Sequence, residues 1–175
     1  MSTVPFTIRP AAPADAVVVA RLNAALFVED SARHDPAVDQ GWPAREGARY
    51  FAELLGSDRA AGWLALHGDT PIGYAVARLG GPHDLRPVLR ADLESIFVVQ
   101  DRRGDGVGAA LVAEFARWAA ERGVAELTVT AYAGNERALA FYARQGYEQL
   151  GSTEYTFEGE VFENRLFAKS LRSDS

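Results

Sequence analysis

The chain has 175 residues, with 18 lysines and arginines against 24 aspartates and glutamates and a net charge of -6. That fits one compact soluble domain over residues 1–175 and argues against a nucleic-acid partner. The absence of cysteine excludes disulfides, a thiolate nucleophile and cysteine-bound metal, and three scattered histidines, His34, His67 and His83, do not make a metal site. Met1 to Arg9 holds no long apolar run and no cleavage signature, so the expected setting is the cytoplasm, away from membranes.

Thr3 to Arg9 reads as a short first strand closed by Pro10. Pro13 suits a first helical turn, and Val18, Leu22, Ala25 and Leu26 form the apolar stripe of a helix reaching about Phe27. Val28 to Trp42 has no clear period and is expected to be irregular. Pro43 can open a second helix carrying Ala48, Phe51, Leu54 and Leu55, with Gly56 at its end. Trp63 to His67 and Ile72 to Leu79, joined through Gly68-Asp69-Thr70-Pro71, read as an antiparallel hairpin. A Gly- and Pro-containing link from Gly80 to Arg90 then leads into the central strand; His83 within it carries no functional signal.

From Asp92 to Leu111 the pattern is strand, glycine turn, helix. Ile96 to Val99 are apolar and partly β-branched, as in a buried strand, while Val107, Leu111, Phe115 and Trp118 share one helical stripe ending before Gly123. Between them, Arg102 and Arg103 stand beside Gly104, Gly106 and Gly108. Such a turn aims free backbone N–H groups and the positive end of a helix dipole at one spot, which suits a phosphate. The glycines are expected to let ligand oxygens approach the backbone, and Arg103 to add a fixed charge whose planar fork matches phosphate. The relaxed dinucleotide pattern Gly104-x-Gly106-x-x-Ala109 is a weak match, because the next strand, Leu127 to Tyr132, ends without an acidic residue. A P-loop is excluded because no lysine follows the glycines; Lys169 is the only lysine. Asn135 to Gln145 reads as a further helix capped by Gly146, and Tyr147 to Leu150 and Glu160 to Lys169 as a final pair of strands around Glu158-Gly159.

Arg103-x-x-Gly106-x-Gly108 after Phe97-Val98-Val99 resembles the acetyl-CoA pyrophosphate loop of the GNAT superfamily of N-acetyltransferases. Asn135 to Tyr147, with Asn opening a helix, Phe141-Tyr142 near its end and Gly146-Tyr147 closing it, resembles that family's second motif. The resemblance covers Ile8 to about Lys169, with a core of about 3–169; it departs from many members in having Gln100 where they have Pro, which bears on the turn's rigidity. It implies an α/β (α+β) fold: a mixed, twisted sheet of six or seven strands, helices on both faces, and a splay between the fourth and fifth strands. The pantetheine arm of acetyl-CoA would enter that splay. The cofactor contacts implied are Ile96, Phe97, Val98, Arg103, Gly104, Asp105, Gly106, Val107, Gly108, Ala109, Asn135 and Tyr142, with the Val98 N–H beside the acetyl carbonyl and no metal.

Acyl transfer from a thioester to an amine needs a proton acceptor, charge stabilisation at the carbonyl oxygen and a proton for the leaving thiolate. Glu94 is the leading base, on the expectation that residues 94, 96 and 98 share one strand face; Asp92 is the alternative. Tyr142 matches the family's usual acid. In the family the link between the first two helices overhangs the acceptor site, so Glu29, Asp30, Asp35 and Asp39 would form an acidic lip for a cationic amine, with Trp42 as an apolar wall; an ordinary solvated loop with a core Trp is the competing reading. Three classes stay open. They are acetylation of a small cationic amine, acetylation of a protein N-terminus or lysine, and non-catalytic acyl-CoA sensing; self-association as a homodimer is also left open.

Overall fold

A computed structural model describes residues 5–82, 84–85 and 87–171. His83 and the first two residues of the expected opening strand, Thr3 and Val4, lie outside the described residues. One seven-stranded sheet has the order β1-β2-β3-β4-β5-β7-β6. Its strands are β1 (Thr7–Pro10), β2 (Ala60–His67), β3 (Thr70–Gly80), β4 (Arg90–Val98), β5 (Glu126–Tyr132), β6 (Glu148–Phe157) and β7 (Glu160–Ser170). Among the described residues only β4 and β5 pair in parallel; the crossover that parallel pairing demands is α4 (Val107–Glu121).

Each sheet face buries one helical layer. Val107, Leu111, Phe115 and Trp118 of α4 are buried against Ala75, Ala77, Ala91, Leu93 and Leu127, as the stripe requires. The opposite face carries α1 (Ala16–Leu26) and α3 (Ala48–Leu55), whose Val19, Leu22, Phe51 and Leu54 pack on Leu64, Tyr74, Val76 and Phe97. Among the described residues no helix is long and apolar enough to cross a membrane.

The segment expected to be irregular is in part helical. α1 runs on through a π-helical turn, Phe27–Ser31, into α2 (Ala32–His34), and a second π-helical turn, Pro43–Gly47, leads into α3. A π turn widens the helix by one residue and is often found where side chains must be re-aimed at a site. Periodicity at 3.6 residues cannot detect it.

Two features of β4 open the sheet. Its register with β5 runs only from Arg90↔Glu126 to Leu93↔Val129, although β4 continues to Val98 and β5 to Tyr132. Beyond Leu93 each strand stays paired on its outer side, β4 with β3 to Val98 and β5 with β7 to Tyr132. At the same point the β3–β4 register slips: Val76 faces Ser95 and Ala77 faces Leu93, so Glu94 is the extra residue of a bulge. Bulges bend a strand and sharpen its twist, which accounts for the parting of β4 from β5. The expected splay between the fourth and fifth strands is present.

Candidate active site

The parted strands open into a cavity of about 710 Å³. Residues 93–98 of β4 and 129–132 of β5 form its floor, the glycine turn and start of α4 one wall, and α5 (Glu136–Arg144) another. The end of α1 and the π-helical turn after it close the remaining side through Asn23, Leu26, Phe27, Glu29 and Asp30.

The floor offers backbone groups. Val99 N donates to Ile72 O of β3 at 2.9 Å. Because successive N–H and C=O groups alternate sides of a strand, those of Val98 point away from β3, into the gap. Arg103 confirms the direction from that side: its Nε donates to Val98 O at 3.0 Å.

The glycines act differently from one another. Gly104 and Gly106 have φ of +90° and +87°, where a side chain is strained, and a Cβ at either would meet nothing within 4 Å. They are glycine because of backbone conformation, and the open space beside them is where a ligand oxygen can approach. Gly108 has no such φ; a Cβ there would sit 3.3 Å from Phe141, so its missing Cβ allows close packing of α4 on α5 while its backbone borders the cavity. Ala110 N donates to Gly106 O at 3.0 Å, which leaves the first-turn N–H groups of α4 pointing out of the helix. Val107, Gly108 and Ala109 border the cavity; Asp105 does not.

Arg103 is not a free charge. Its guanidinium lies over the Phe97 ring, 5.5 Å from the centroid, and forms an ion pair with Glu29 of the π-helical turn. Asn135 is likewise engaged at both ends of its amide. Its oxygen caps α5 by accepting from Ala138 N at 3.1 Å, and its Nδ2 donates to Asp30 Oδ1 at 2.9 Å.

The parity argument for Glu94 fails. Ala91 and Leu93 face α4 before the bulge, whereas Ile96 and Val98 face it afterwards. Glu94, as the bulged residue, is turned towards α3 rather than to the Val98 side. There Tyr50 O–H donates to its Oε1 at 2.5 Å and Arg78 Nε donates to the same oxygen at 2.9 Å. Oε2 has no partner among the described residues, and Glu94 still borders the cavity. Burial holds Tyr50 above the usual phenol range, with its bond to Glu94 acting the same way, so it is a neutral donor. Asp92 lies in the paired part of β4, accepts from Thr128 Oγ1 at 2.8 Å and does not border the cavity. Burial raises its carboxyl above the usual range, opposed by the Thr128 bond. Position therefore weighs against Asp92 as the alternative base.

Tyr142 borders the cavity and is 5% exposed, packed against Phe141, Tyr147 and Phe167. Phe141 also borders the cavity, so the pair is not divided into one packing and one cleft residue. Burial, then the neighbouring Tyr147, pushes the Tyr142 hydroxyl far up, and it is protonated at any working pH.

The acidic lip is largely neutralised. Glu29 is paired with Arg103, and Asp30 is bonded to Asn135 and lies 3.6 Å from His34. Burial raises the Asp30 carboxyl, against the pull of His34 and Asn135. Asp35 borders the cavity. Asp39 is paired with Arg45 outside it, and Trp42 stacks on Phe27 and packs edge-on to Tyr50 and Phe51, so neither lines the site. The apolar-wall expectation for Trp42 is corrected: it belongs to the α1–α3 core.

Sequence reasoning missed Asn23, Tyr74, Ser95, Tyr50 and Arg78. No local pattern marks them, because the bonds Asn23–Tyr74, Tyr74–Ser95 and Tyr50–Glu94 join residues 51, 21 and 44 positions apart.

Residues 26–147 match the model of the Acetyltransferase (GNAT) family. N-alpha-acetyltransferase MAK3 of Arabidopsis thaliana is 32% identical over 85 residues, covering 49% of this chain and 43% of the relative. Thialysine N-epsilon-acetyltransferase of Bos taurus is 32% identical over 73 residues, 39% of this chain and 43% of the relative. The chain thus spans less than half the length of these two curated relatives. The crystal structure of ribosomal-protein-alanine N-acetyltransferase from Brucella melitensis superposes with a TM-score of 0.75 at 25% identity, covering 94% of this chain and 99% of that one. With the family match extending from the end of α1 through both motifs to Tyr147, the chain belongs to the acetyltransferase (GNAT) family.

Proposed function

We propose that the protein transfers an acetyl group from acetyl-CoA to the primary amine of a small cationic acceptor. The observation that carries the reading is the parting of β4 and β5 beyond Leu93 and Val129, directly beside the open glycine turn. The space at Gly104 and Gly106 and the outward N–H groups at the start of α4 suit a pyrophosphate. The free backbone edge of β4 suits the amides of a pantetheine arm, as a strand edge suits any extended chain. A thioester is already activated, so a neutral amine can attack its carbonyl without an enzyme nucleophile. The Val98 N–H, pointing into the gap, is placed to donate to the carbonyl oxygen as charge develops there. Glu94 draws in the ammonium through Oε2 and relays its proton, while Tyr142 donates to the departing sulfur. Glu94 and Asp35 supply the negative charge that favours a cation. Acetylation of a protein N-terminus is the second reading, supported by the N-alpha- and ribosomal-protein-alanine acetyltransferases among the similar proteins.

A thiol-release assay with acetyl-CoA tests both, using polyamines, amino-acid amides and Ala- or Met-initiated peptides as acceptors. Turnover confined to the peptides would replace the first reading by the second, and no turnover with any acceptor would leave acyl-CoA sensing.

Glu94→Gln should depress kcat/KM most at low pH and less at high pH, where free amine is abundant. An unshifted pH–rate profile would assign the base to water, since Asp92 is away from the cavity.

Arg103 gives a second expectation, and here magnitudes decide. A charge-assisted hydrogen bond contributes about 1.5–3 kcal/mol. Glu29 occupies Arg103 Nη2, and its negative charge repels a phosphate, so the two anions compete for one cation. Arg103→Ala should therefore weaken CoA only a few-fold in the native background, but about ten-fold or more once Glu29→Gln has released it. Glu29→Gln alone should tighten CoA. Titration calorimetry showing the same Arg103→Ala effect in both backgrounds would remove Glu29 from the exchange.

A further inference from the structure

The inner wall of the cavity holds a polar chain that none of the chemistry above uses. Asn23 of α1 is 4% exposed and borders the cavity. Its Nδ2 donates to the Tyr74 hydroxyl at 2.8 Å, and that hydroxyl lies 3.0 Å from Ser95 Oγ. Tyr74 is fully buried, and burial pushes its hydroxyl up to about 12, so it is a neutral phenol. A phenol has one proton. With Asn23 Nδ2 donating to its oxygen, that proton is available to Ser95 Oγ. In this arrangement Tyr74 takes the nitrogen end of the Asn23 amide. Its Oδ1 is left buried with no partner among the described residues. An unsatisfied buried acceptor destabilises a fold, and one that persists beside a cavity calls for a donor from what enters it.

We propose that Asn23 Oδ1 is the acceptor-amine subsite: it takes a hydrogen bond from the N–H of the incoming ammonium or amine, on the α1 side of the cavity. This rests on the acetyl-transfer reading and names the specificity residue of that same site. Glu94 Oε2, on the floor from the bulge, supplies charge; Asn23 supplies direction, because a neutral carbonyl acceptor orients one N–H without competing for the proton. Tyr74 and Ser95 are positioning residues that hold the amide with its oxygen inward. Ser95 reaches this chain because the bulge at Glu94 reverses the facing of β4, which places Ser95 beside Tyr74. The bulge thus serves both the base and the subsite. The ligand class is a primary amine or ammonium; a tertiary amine, with no N–H in its neutral form, is excluded.

The test uses Asn23→Leu, which keeps the volume and removes both polar ends, and Tyr74→Phe, which removes only the orienting hydroxyl. With the best acceptor of the thiol-release panel, Asn23→Leu should raise the acceptor KM on the order of ten-fold or more. The Kd for acetyl-CoA should stay within about two-fold. Tyr74→Phe should raise the same KM by less, because the amide can then turn its nitrogen inward for part of the time. An unchanged acceptor KM in Asn23→Leu overturns the proposal, as does a parallel loss of acetyl-CoA affinity, which would mark a general packing defect. If Asn23→Leu fails to fold, Tyr74→Phe carries the same comparison. If no acceptor is acetylated, the acetyl-transfer reading fails by itself, and Asn23 is judged by binding. Titration of the 15N-labelled, CoA-bound protein with spermidine should shift the Asn23 side-chain amide signals. No shift overturns the subsite.

Discussion

Tyr142→Phe should lower kcat on the order of a hundred-fold while leaving the fold and acetyl-CoA affinity unchanged. The ring contributes the packing, against Phe141, Tyr147 and Phe167, and Phe keeps all of it. The hydroxyl is what the substitution removes. Its protonated state is assured by burial, but the same burial makes it a weak acid. A thiol titrates near about 8.5 in water, so full proton transfer from Tyr142 to a solvated thiolate runs uphill. Within the cavity the thiolate is desolvated too, which raises its own proton affinity and narrows the gap. The expected contribution is therefore a strong hydrogen bond to developing negative charge, at the lower end of the general-acid range of about 10²–10⁴. Stopped-flow and steady-state rates with chemistry limiting provide the check. A kcat equal to wild type would make Tyr142 a packing residue whose place at the cavity is incidental.

Gly106→Val should weaken acetyl-CoA binding by at least about ten-fold and also reduce stability. The two losses have one origin. Gly106 has φ +87°, which a β-branched residue adopts only under strain, of order 1–3 kcal/mol. To relieve that strain the turn must re-form, and the N–H groups at the start of α4 then no longer converge. Gly108→Ala is the informative contrast. Its φ is ordinary and its Cβ would press on Phe141 at 3.3 Å, so it should shift α5 and Tyr142 and leave the phosphate turn intact. Calorimetry of CoA binding together with thermal unfolding separates them. Gly106→Val with unaltered CoA affinity would place the phosphates elsewhere in the cavity.

What was legible in the sequence was local. The α4 stripe Val107, Leu111, Phe115 and Trp118 and the glycine turn before it need only residues a few positions apart, and both appear in the structure as read; the left-handed φ of Gly104 and Gly106 was supplied by the structure. Local pattern plus resemblance was enough for strand, turn, helix and the parted sheet. The chemistry of the side chains was decided elsewhere. One extra residue at Glu94 reverses which side of β4 faces α4, and the register with β3 that creates it is a cross-strand property without a one-dimensional signal. Arg103 reads as a free phosphate ligand until the π-helical turn brings Glu29, 74 residues away in sequence, against it. Trp42 reads as a cavity wall until three aromatic rings claim it for the core. Asn23, unremarkable inside an apolar helix, becomes a candidate subsite only when Tyr74 takes its nitrogen and leaves its oxygen unpaired among the described residues. Periodicity is a property of neighbouring residues and survives in the sequence. Which partner satisfies a charge or a lone pair is settled by contacts that exist only after the chain has folded.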